Sequence, residues 1–353
     1  MAALTGTAAP NTPTRFQKWR NRSANTRTAW LYLLPALLVM GIITFYPLVY
    51  QVWMSTTNYG IKNLRFDAEP PSAASAACRE GQECWGPLEN YRQIFTGELP
   101  VAIANFSFWN VLGFNLVWTF TNVPIHVVIG VLIAVLLNVK GLWFKRFYRA
   151  IYILPIVIPS LVIAVVWRNM FDSDYGAINQ GLQAFGRIFN PSLEVNLRWI
   201  EQVDRPISWL PLPLSYFALL ITNIWLGWPF MTIVATGALQ SIPQDLYEAA
   251  SIDGASGRQQ FLGITVPLLR PAMIPAAVYG IVATFNLFNL IYLLSGGGPL
   301  RQTEILVTTA YRLVNEQRLY GVASAFSVII FFVLLALTLV TNRFTRATER
   351  YDV

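Results

Sequence analysis

Between Ser241 and Pro271 the chain reads S-I-P-Q-D-L-Y-E-A-A-S-I-D-G-A-S-G-R-Q-Q-F-L-G-I-T-V-P-L-L-R-P, a polar stretch between two long apolar runs that contain no charged residue. Its first part predicts a helix, because Ser241 and Gln244 have the spacing of a capping box and the residues up to Asp253 are mostly good helix formers. Gly254 follows at the position where helices commonly end in the left-handed conformation. The stretch is therefore expected to open with a helix that ends in a glycine turn.

A second short helix is predicted after this glycine, from about Ser256 to Ile264. Pro267 is expected to stop it, because proline lacks the backbone N–H that would continue the helix. Ala249 and Ala250 leave a smooth face on the first helix, with acidic side chains beside it. The whole stretch is predicted to be helix, glycine turn and helix, lying on a membrane surface.

The spacing of this stretch resembles the E-A-A-x3-G-x9-I-x-L-P loop of ABC importer permeases. The matching residues are Glu248, Ala249, Ala250, Gly254, Ile264 and Pro267, with Val266 in place of the usual leucine. In that family the loop forms the coupling helix, which docks in a cleft on a cytoplasmic ATPase, and the resemblance implies the same role here. The alternative interpretation is an ordinary amphipathic connector between two membrane helices.

The composition indicates an all-α polytopic membrane protein. Hydrophobic residues make up 55% of the chain and charged residues only 12%, whereas a soluble domain carries about 25% charged residues. The net charge of +7 does not indicate a nucleic-acid partner, because the basic residues cluster at the ends of apolar runs. The expected surroundings are membrane lipid.

Six transmembrane helices are predicted from the apolar runs, each long enough to cross a hydrocarbon core of about 30 Å. The expected organisation is a basic leader at 1–29, a first span at 30–54, an extracytoplasmic loop at 55–105, a permease core at 106–341 that includes the coupling loop 241–271, and a tail at 342–353. Within the core, spans are expected at 106–139, 151–167, 214–239, 272–294 and 319–341. Pro155 and Pro159 predict a kink in the span at 151–167.

The distribution of basic residues predicts which side of the membrane each loop occupies. The leader, the basic turn after the second span, the coupling loop and the tail hold 14 Lys and Arg, against 11 in the three loops on the other side. Basic residues near span ends favour the cytoplasm. Both termini and the coupling loop are therefore expected in the cytoplasm, with the chain in a bacterial inner membrane.

The sequence contains no pattern that indicates catalysis. There is no G-x4-G-K-[ST] loop to bind ATP phosphates and no H-E-x-x-H zinc motif. We therefore expect no enzyme activity and no cofactor in this chain, with ATP and magnesium bound by a partner. Cys78 and Cys84 share one predicted extracytoplasmic loop, where they form either a disulfide or two incidental thiols.

None of the predicted spans contains Asp, Glu, Lys or Arg. Ion-coupled carriers usually keep ionisable residues in their spans, so the absence disfavours that class and favours a machine driven by an external energy source. His126 is the single histidine of the chain. A proton relay is one role for it, and a neutral histidine bonded to a neighbouring helix is the favoured one.

Two polar-aromatic patches occur inside the spans. Asn223, Gly227 and Phe230 have the i, i+4, i+7 spacing of one helical face, and Asn286 and Asn289 are three residues apart in the next span. Amides donate and accept hydrogen bonds, glycine admits a ligand to the backbone, and an aromatic ring stacks on the C–H face of a sugar. The patches indicate either a site for a neutral polyol or polar contacts between helices.

The motifs N-x-W-L-G-[YW]-P-[YF] and F-N-x-F before a G-G-P turn resemble the maltose-type subgroup of carbohydrate permeases. The resemblance implies a sugar site lined by Asn223, Leu226, Gly227 and Phe230, and by Asn286 and Asn289 in a looser match. Thr284 and Leu287 stand where asparagine is expected, which leaves the sugar open. The segment Y-G-A-I-N at 175–179 is also similar to the family's Y-G-x-x-N loop.

This resemblance implies a type I ABC importer permease fold and a set of partners. These are a second homologous permease subunit, two cytoplasmic ATPase subunits and an extracytoplasmic sugar-binding protein. ATP-driven closure of the ATPase pair would move the coupling helix and switch the permease between inward-facing and outward-facing states. The cargo is expected to be maltose or maltooligosaccharides, with trehalose, another oligosaccharide or glycerol phosphate as alternatives.

Overall fold

The computed structural model describes residues 26, 30–64, 86–99, 106–139, 141–204, 206 and 209–345, and the regular elements in these ranges are helices. Cys78 and Cys84, which form either a disulfide or two incidental thiols, lie outside the described residues. The helices are α1 Trp30–Ser55, α2 Glu89–Thr96, α3 Phe108–Asn138, α4 Lys145–Val157, α5 Ser160–Met170, α6 Ala177–Gly186, α7 Leu214–Ser241, α8 Asp245–Ile252, α9 Gly257–Ser295, α10 Leu306–Asn315 and α11 Tyr320–Thr345.

The chain divides into two compact units, Met1–Met54 and Ser55–Val353. The first contains most of α1, an apolar helix of 26 residues with a π-helical turn at Gly41–Phe45. The second contains the other helices. Its cores lie between α3, α7 and α9 and between α2, α3, α10 and α11.

Five helices in the described part of the chain are long and apolar enough to cross a membrane: α1, α3, α7, α9 and α11. The predicted span at 151–167 differs, because it consists of α4 and α5 joined at a bend of 97°. A kink at the two prolines was expected, and the structure has a complete break. Ile158 and Pro159 are extended, with ψ of 130° and 134°, because a residue before proline avoids the helical region and proline has no N–H to donate.

The coupling loop has the predicted helix, turn and helix, with two corrections. The capping box at Ser241 is wrong, because Ser241 is the last residue of α7 and its hydroxyl donates to the carbonyl of Ala238 at 2.8 Å. A capping box does occur at Ser256 and Gln259, where the second helix begins.

The prediction that Pro267 ends the second helix is also wrong, because α9 continues through this residue. A π-helical turn at Phe261–Thr265 immediately precedes it, and the N–H of Val266 donates to the carbonyl of Phe261. Local π adjustments of this kind absorb the hydrogen bond that proline cannot make. The polar stretch therefore runs without interruption into the next membrane helix.

The contact between α3 and α7 brings their backbones close together. A Cβ added to Gly130 would lie 2.9 Å from the backbone nitrogen of Thr232, so α7 crosses α3 directly over this glycine. Small residues at helix crossings permit such close approach in membranes. The crossing fixes which faces of α3 and α7 meet, and hence which of their polar residues share a site.

Helix α9 is interrupted at Asn286 and Leu287, and α3 satisfies backbone groups at the interruption. The Asn115 amide donates to the Phe285 carbonyl at 3.2 Å, and the Trp118 indole N–H donates to the Thr284 carbonyl at 3.1 Å. Buried backbone groups without partners are costly in a membrane. These contacts therefore let a broken helix exist in the core.

Asn179 explains the Y-G-x-x-N segment that resembles the family loop. Its amide donates to the carbonyls of Ser173 at 3.1 Å and Leu197 at 2.9 Å, and its Oδ1 accepts from the indole N–H of Trp199 at 2.9 Å. The same loop holds the Asp172 carboxylate, whose pKa is lowered because the backbone N–H groups of Tyr175 and Asp174 donate to it. The motif therefore stabilises a loop.

We expect Asn179→Ala to lower the free energy of unfolding by about 2 kcal/mol, because it leaves the buried Trp199 N–H and two carbonyls without their partner. The measurement is thermal unfolding of the purified protein in detergent. Gln180 is on the same helix as Asn179, and its exposed side-chain amide donates a hydrogen bond to the carbonyl of Tyr175 in the preceding loop. Gln180→Ala is therefore the matched control and should change little. Equal stability of the two variants would contradict this role of Asn179.

The turn after α9 is stabilised by a buried ion pair. The Arg312 Nε lies 2.6 Å from the Glu304 Oε1, and the Arg312 guanidinium also donates to the Gly296 carbonyl at 2.6 Å. Burial raises the pKa of the Glu304 carboxyl, and the charges of Arg312 and Arg301 oppose the rise. The G-G-G-P segment is thus a turn tied to α10, as its position after a span predicts.

Candidate functional site

A cavity of about 140 Å³ lies between α3, α7 and α9. Its lining includes four predicted site residues, Asn223, Leu226, Gly227 and Phe230. The remaining lining residues are His126, Met231, Tyr279, Gly280, Ala283, Thr284 and Leu287. None of these side chains carries a carboxylate, ammonium or guanidinium group, so the cavity suits a neutral ligand.

Asn223 both joins two helices by a hydrogen bond and lines the cavity, the two interpretations that its sequence position left open. The side chain is 3% exposed, and its amide donates to the Oδ1 of Asn122 on α3 at 2.8 Å. This bond joins two helices, as intramembrane asparagines commonly do. The same residue also lines the cavity. It is therefore held in a defined orientation beside any ligand that enters.

Gly227 is where the His126 ring approaches the backbone of α7. The three atoms nearest to a Cβ built on Gly227 all belong to this ring, and the Nε2 would lie 2.6 Å away. Real Cβ atoms do not tolerate such distances, so no other residue fits without displacing the histidine. Glycine at this position is required by packing as well as by access to the cavity.

Aromatic rings form one side of the cavity. Phe230 and Tyr279 contact each other with ring centroids 5.3 Å apart and planes inclined by 51°. The Tyr279 side chain is exposed. Aromatic rings present electron-rich faces on which the C–H groups of a sugar can stack.

Asn286 and Asn289 do not line this cavity. The Asn286 amide donates to the Val282 carbonyl of its own helix at 3.2 Å. The Asn289 amide donates to the hydroxyl of Ser160 at 3.0 Å, at the break between α4 and α5. Thr284 and Leu287, which stand where the subgroup has asparagine, line the cavity instead. A cargo role for the two asparagines stays a prediction.

His126 also lines the cavity, and its position on α3 gives a signal in the sequence that connects it with the other site residues. Asn115, Thr119, Asn122 and His126 have the spacing i, i+4, i+7, i+11, which places them on one face of α3. That polar face is turned toward α7 and α9. Recognising it would have added His126 to the site.

The coupling segment, which is the predicted coupling loop at 241–271, is exposed where a partner would contact it. Glu248, Ala249, Gly254 and Pro267 are exposed, and Ala250 and Ile264 are partly buried. Leu246 is 44% exposed and Ile252 is 87% exposed, so α8 also presents apolar side chains. A short helix with a free acidic and apolar surface has the character of a docking element.

Gly254 gives the segment its turn. Its φ of 80° lies in the left-handed region. The N–H of Gly254 donates to the carbonyl of Ser251 at 3.1 Å, and the N–H of Ala255 donates to the carbonyl of Ala250 at 2.9 Å. These two bonds form a Schellman motif. The hydroxyls of Tyr247 and Thr265, 2.9 Å apart, tie α8 to α9.

Within the described ranges, the structure contains no cluster of three or more His, Cys, Asp or Glu that could hold a metal ion. The candidate sites are therefore the uncharged cavity and the exposed coupling segment.

Comparison with known proteins identifies relatives along most of the chain. It is 32% identical over 319 residues to the galactooligosaccharides transport system permease protein of Bacillus subtilis (strain 168), covering 89% of this chain and 69% of that protein. It is 30% identical over 326 residues to the trehalose/maltose transport system permease protein of Thermococcus litoralis, covering 91% of this chain and 95% of that protein.

A solved structure has the same fold. The crystal structure of a bacterial ABC transporter involved in the import of the acidic polysaccharide alginate matches 94% of this chain and 100% of its own chain, with a TM-score of 0.70 and 20% identity. The predicted ABC importer permease fold is thereby confirmed. Residues 126–350 match the family model described as binding-protein-dependent transport system inner membrane component. The chain therefore belongs to this family of inner-membrane permease subunits.

Proposed function

We propose that this chain is a permease subunit through which a binding-protein-dependent ABC importer moves maltose or maltooligosaccharides into the cell. The observation that carries the proposal is the cavity between α3, α7 and α9, which combines amide, imidazole and aromatic side chains without a charged group. Sugars offer hydroxyl groups and apolar C–H faces, and this lining is complementary to both. A phosphorylated cargo would require a basic group there, which disfavours glycerol phosphate.

In the proposed mechanism the chain supplies no chemical energy. Two cytoplasmic ATPase subunits bind ATP and magnesium, and their closure moves α8, which docks through Glu248 and the alanine face beside it. The movement passes to α9 through the Tyr247–Thr265 contact and through the continuous helix at Pro267. The cavity then opens alternately to either side, with both termini in the cytoplasm.

A second candidate cargo is a galactooligosaccharide. It is favoured by the 32% identity to the Bacillus subtilis permease, which covers 89% of this chain. Trehalose is a further alternative, given the Thermococcus litoralis relative. All three are neutral, so the uncharged cavity does not separate them.

The experiment reconstitutes the chain with its second permease subunit, two ATPase subunits and a binding protein in proteoliposomes. ATP hydrolysis and uptake are measured while the binding protein carries one sugar at a time. We expect maltose and maltotriose to stimulate both activities most strongly. Greater stimulation by a galactooligosaccharide would replace the maltose proposal with the second candidate. Uptake of solute by this chain without ATPase subunits would overturn the mechanism.

We expect Asn223→Ala to reduce uptake at least tenfold, because it removes both the Asn122 bond and a polar group of the cavity. Uptake kinetics and copurification with the ATPase subunits are measured together. Asn169→Ala is the matched control and should transport normally, because it removes only an exposed side-chain hydrogen bond to the carbonyl of Val165 within α5. Asn289→Ala tests the looser sequence match, and its loss of uptake would extend the site beyond the cavity.

A further inference from the structure

The polar face of α3 is almost completely paired. Asn115 donates to Phe285 and accepts from the N–H of Leu306, Thr119 donates to the carbonyl of Asn115, and Asn122 donates to Trp118 and accepts from Asn223. Each of these side chains has at least one hydrogen-bond partner within the helix core. His126 is the next residue on the same face.

His126 is the exception on this face. It is 3% exposed, and its Nε2 has no hydrogen-bond partner among the residues that the structure describes. The ring lies against the backbone of Asn223 and Gly227, and it lines the cavity. A buried polar atom without a partner is destabilising, so its presence in a core requires an explanation.

We propose that the Nε2 of His126 hydrogen-bonds a hydroxyl group of the cargo and thereby acts as a specificity-determining residue. The inference rests on the proposed function, since it assigns a ligand to the same cavity. A hydroxyl group both donates and accepts, so it can pair with either tautomer of the ring. A cavity that pairs one particular hydroxyl discriminates against an analogue that lacks it.

The experiment compares wild type, His126→Leu and His126→Gln in the reconstituted complex. Each complex is supplied with maltose or with maltose analogues that lack one hydroxyl at a time. Glutamine keeps a hydrogen-bonding group near the position of Nε2, whereas leucine removes it at similar volume. The binding protein is the same in every assay, so its own preference cancels when the ratio of uptake rates is compared between permease variants.

We expect wild type to transport one deoxy analogue about tenfold less efficiently than maltose. His126→Leu should transport that analogue and maltose equally well. The loss for His126→Leu should lie in KM rather than in kcat, because the bond forms when the cargo binds, and His126→Gln should restore most of it. ATPase copurification shows whether each variant assembles.

Two outcomes would overturn the inference while sparing the proposed function. In the first, His126→Leu keeps the wild-type ratio of uptake between maltose and every deoxy analogue. In the second, His126→Leu loses uptake of all the sugars equally and His126→Gln does not restore it. Both would leave Nε2 with a structural role, such as binding an ordered water. If Asn223→Ala also transported all sugars normally, the cavity itself would not be the cargo site, and the proposed function of these residues would fail with it.

Discussion

We expect Gly227→Leu to lower sugar uptake about 100-fold or more, because overpacking the tight contact between Gly227 and His126 costs about 1–3 kcal/mol and the larger side chain also takes space that the ligand needs. The first added carbon meets the His126 ring, and Gly227 lines the cavity of about 140 Å³. Uptake into proteoliposomes measures the loss. Copurification with the partner subunits should remain normal, since the cavity does not lie on the coupling segment.

Gly237→Leu is the matched control for this substitution. It lies on the same helix, and a Cβ there has no atom within 4 Å. Gly237→Leu should therefore transport as wild type does. A double variant of Gly227→Ala with His126→Ala should recover part of the uptake that Gly227→Ala loses, because removing the ring opens the space for the new methyl group. Normal kinetics in Gly227→Leu would exclude the cavity from the transport pathway.

We expect Gly254→Val to uncouple ATP hydrolysis from uptake while the complex still assembles. Gly254 has a φ of 80°, and a β-branched residue in that region is strongly disfavoured. A Cβ added there has no atom within 4 Å, so the effect arises from the backbone and not from a clash. The turn must open, which changes the direction in which α8 meets its partner. We expect uptake to fall about tenfold or more, with continued ATP hydrolysis.

Two further glycine positions make this prediction specific. Gly257→Val introduces the same side chain three residues later, where no atom lies within 4 Å and φ is not in the left-handed region, so uptake should persist. Gly254→Asn should retain more uptake than Gly254→Val, because asparagine tolerates the left-handed conformation. Full coupling in Gly254→Val would remove this glycine turn from the transmission of movement.

The sequence was least informative where helices break or continue at proline. Pro155 and Pro159 predicted a kinked helix, and the chain instead breaks there with a bend of 97°. Pro267 predicted the end of a helix, and the helix continues through it. The difference arises from what surrounds each residue. A π-helical turn precedes Pro267, and no local sequence pattern predicts that turn.

Five of the six predicted membrane helices and the glycine turn at Gly254 could be located from the sequence alone, because hydrophobic length and turn chemistry are local properties of a chain. Which polar groups contact each other depends on how the helices pack. Asn122 and Asn223 are 101 residues apart and share a hydrogen bond, while Asn289 turns to Ser160 and away from the cavity. His126 joined the site for the same reason: the rotation of each helix is set by packing against its neighbours, and residue spacing within one helix does not specify the face of another.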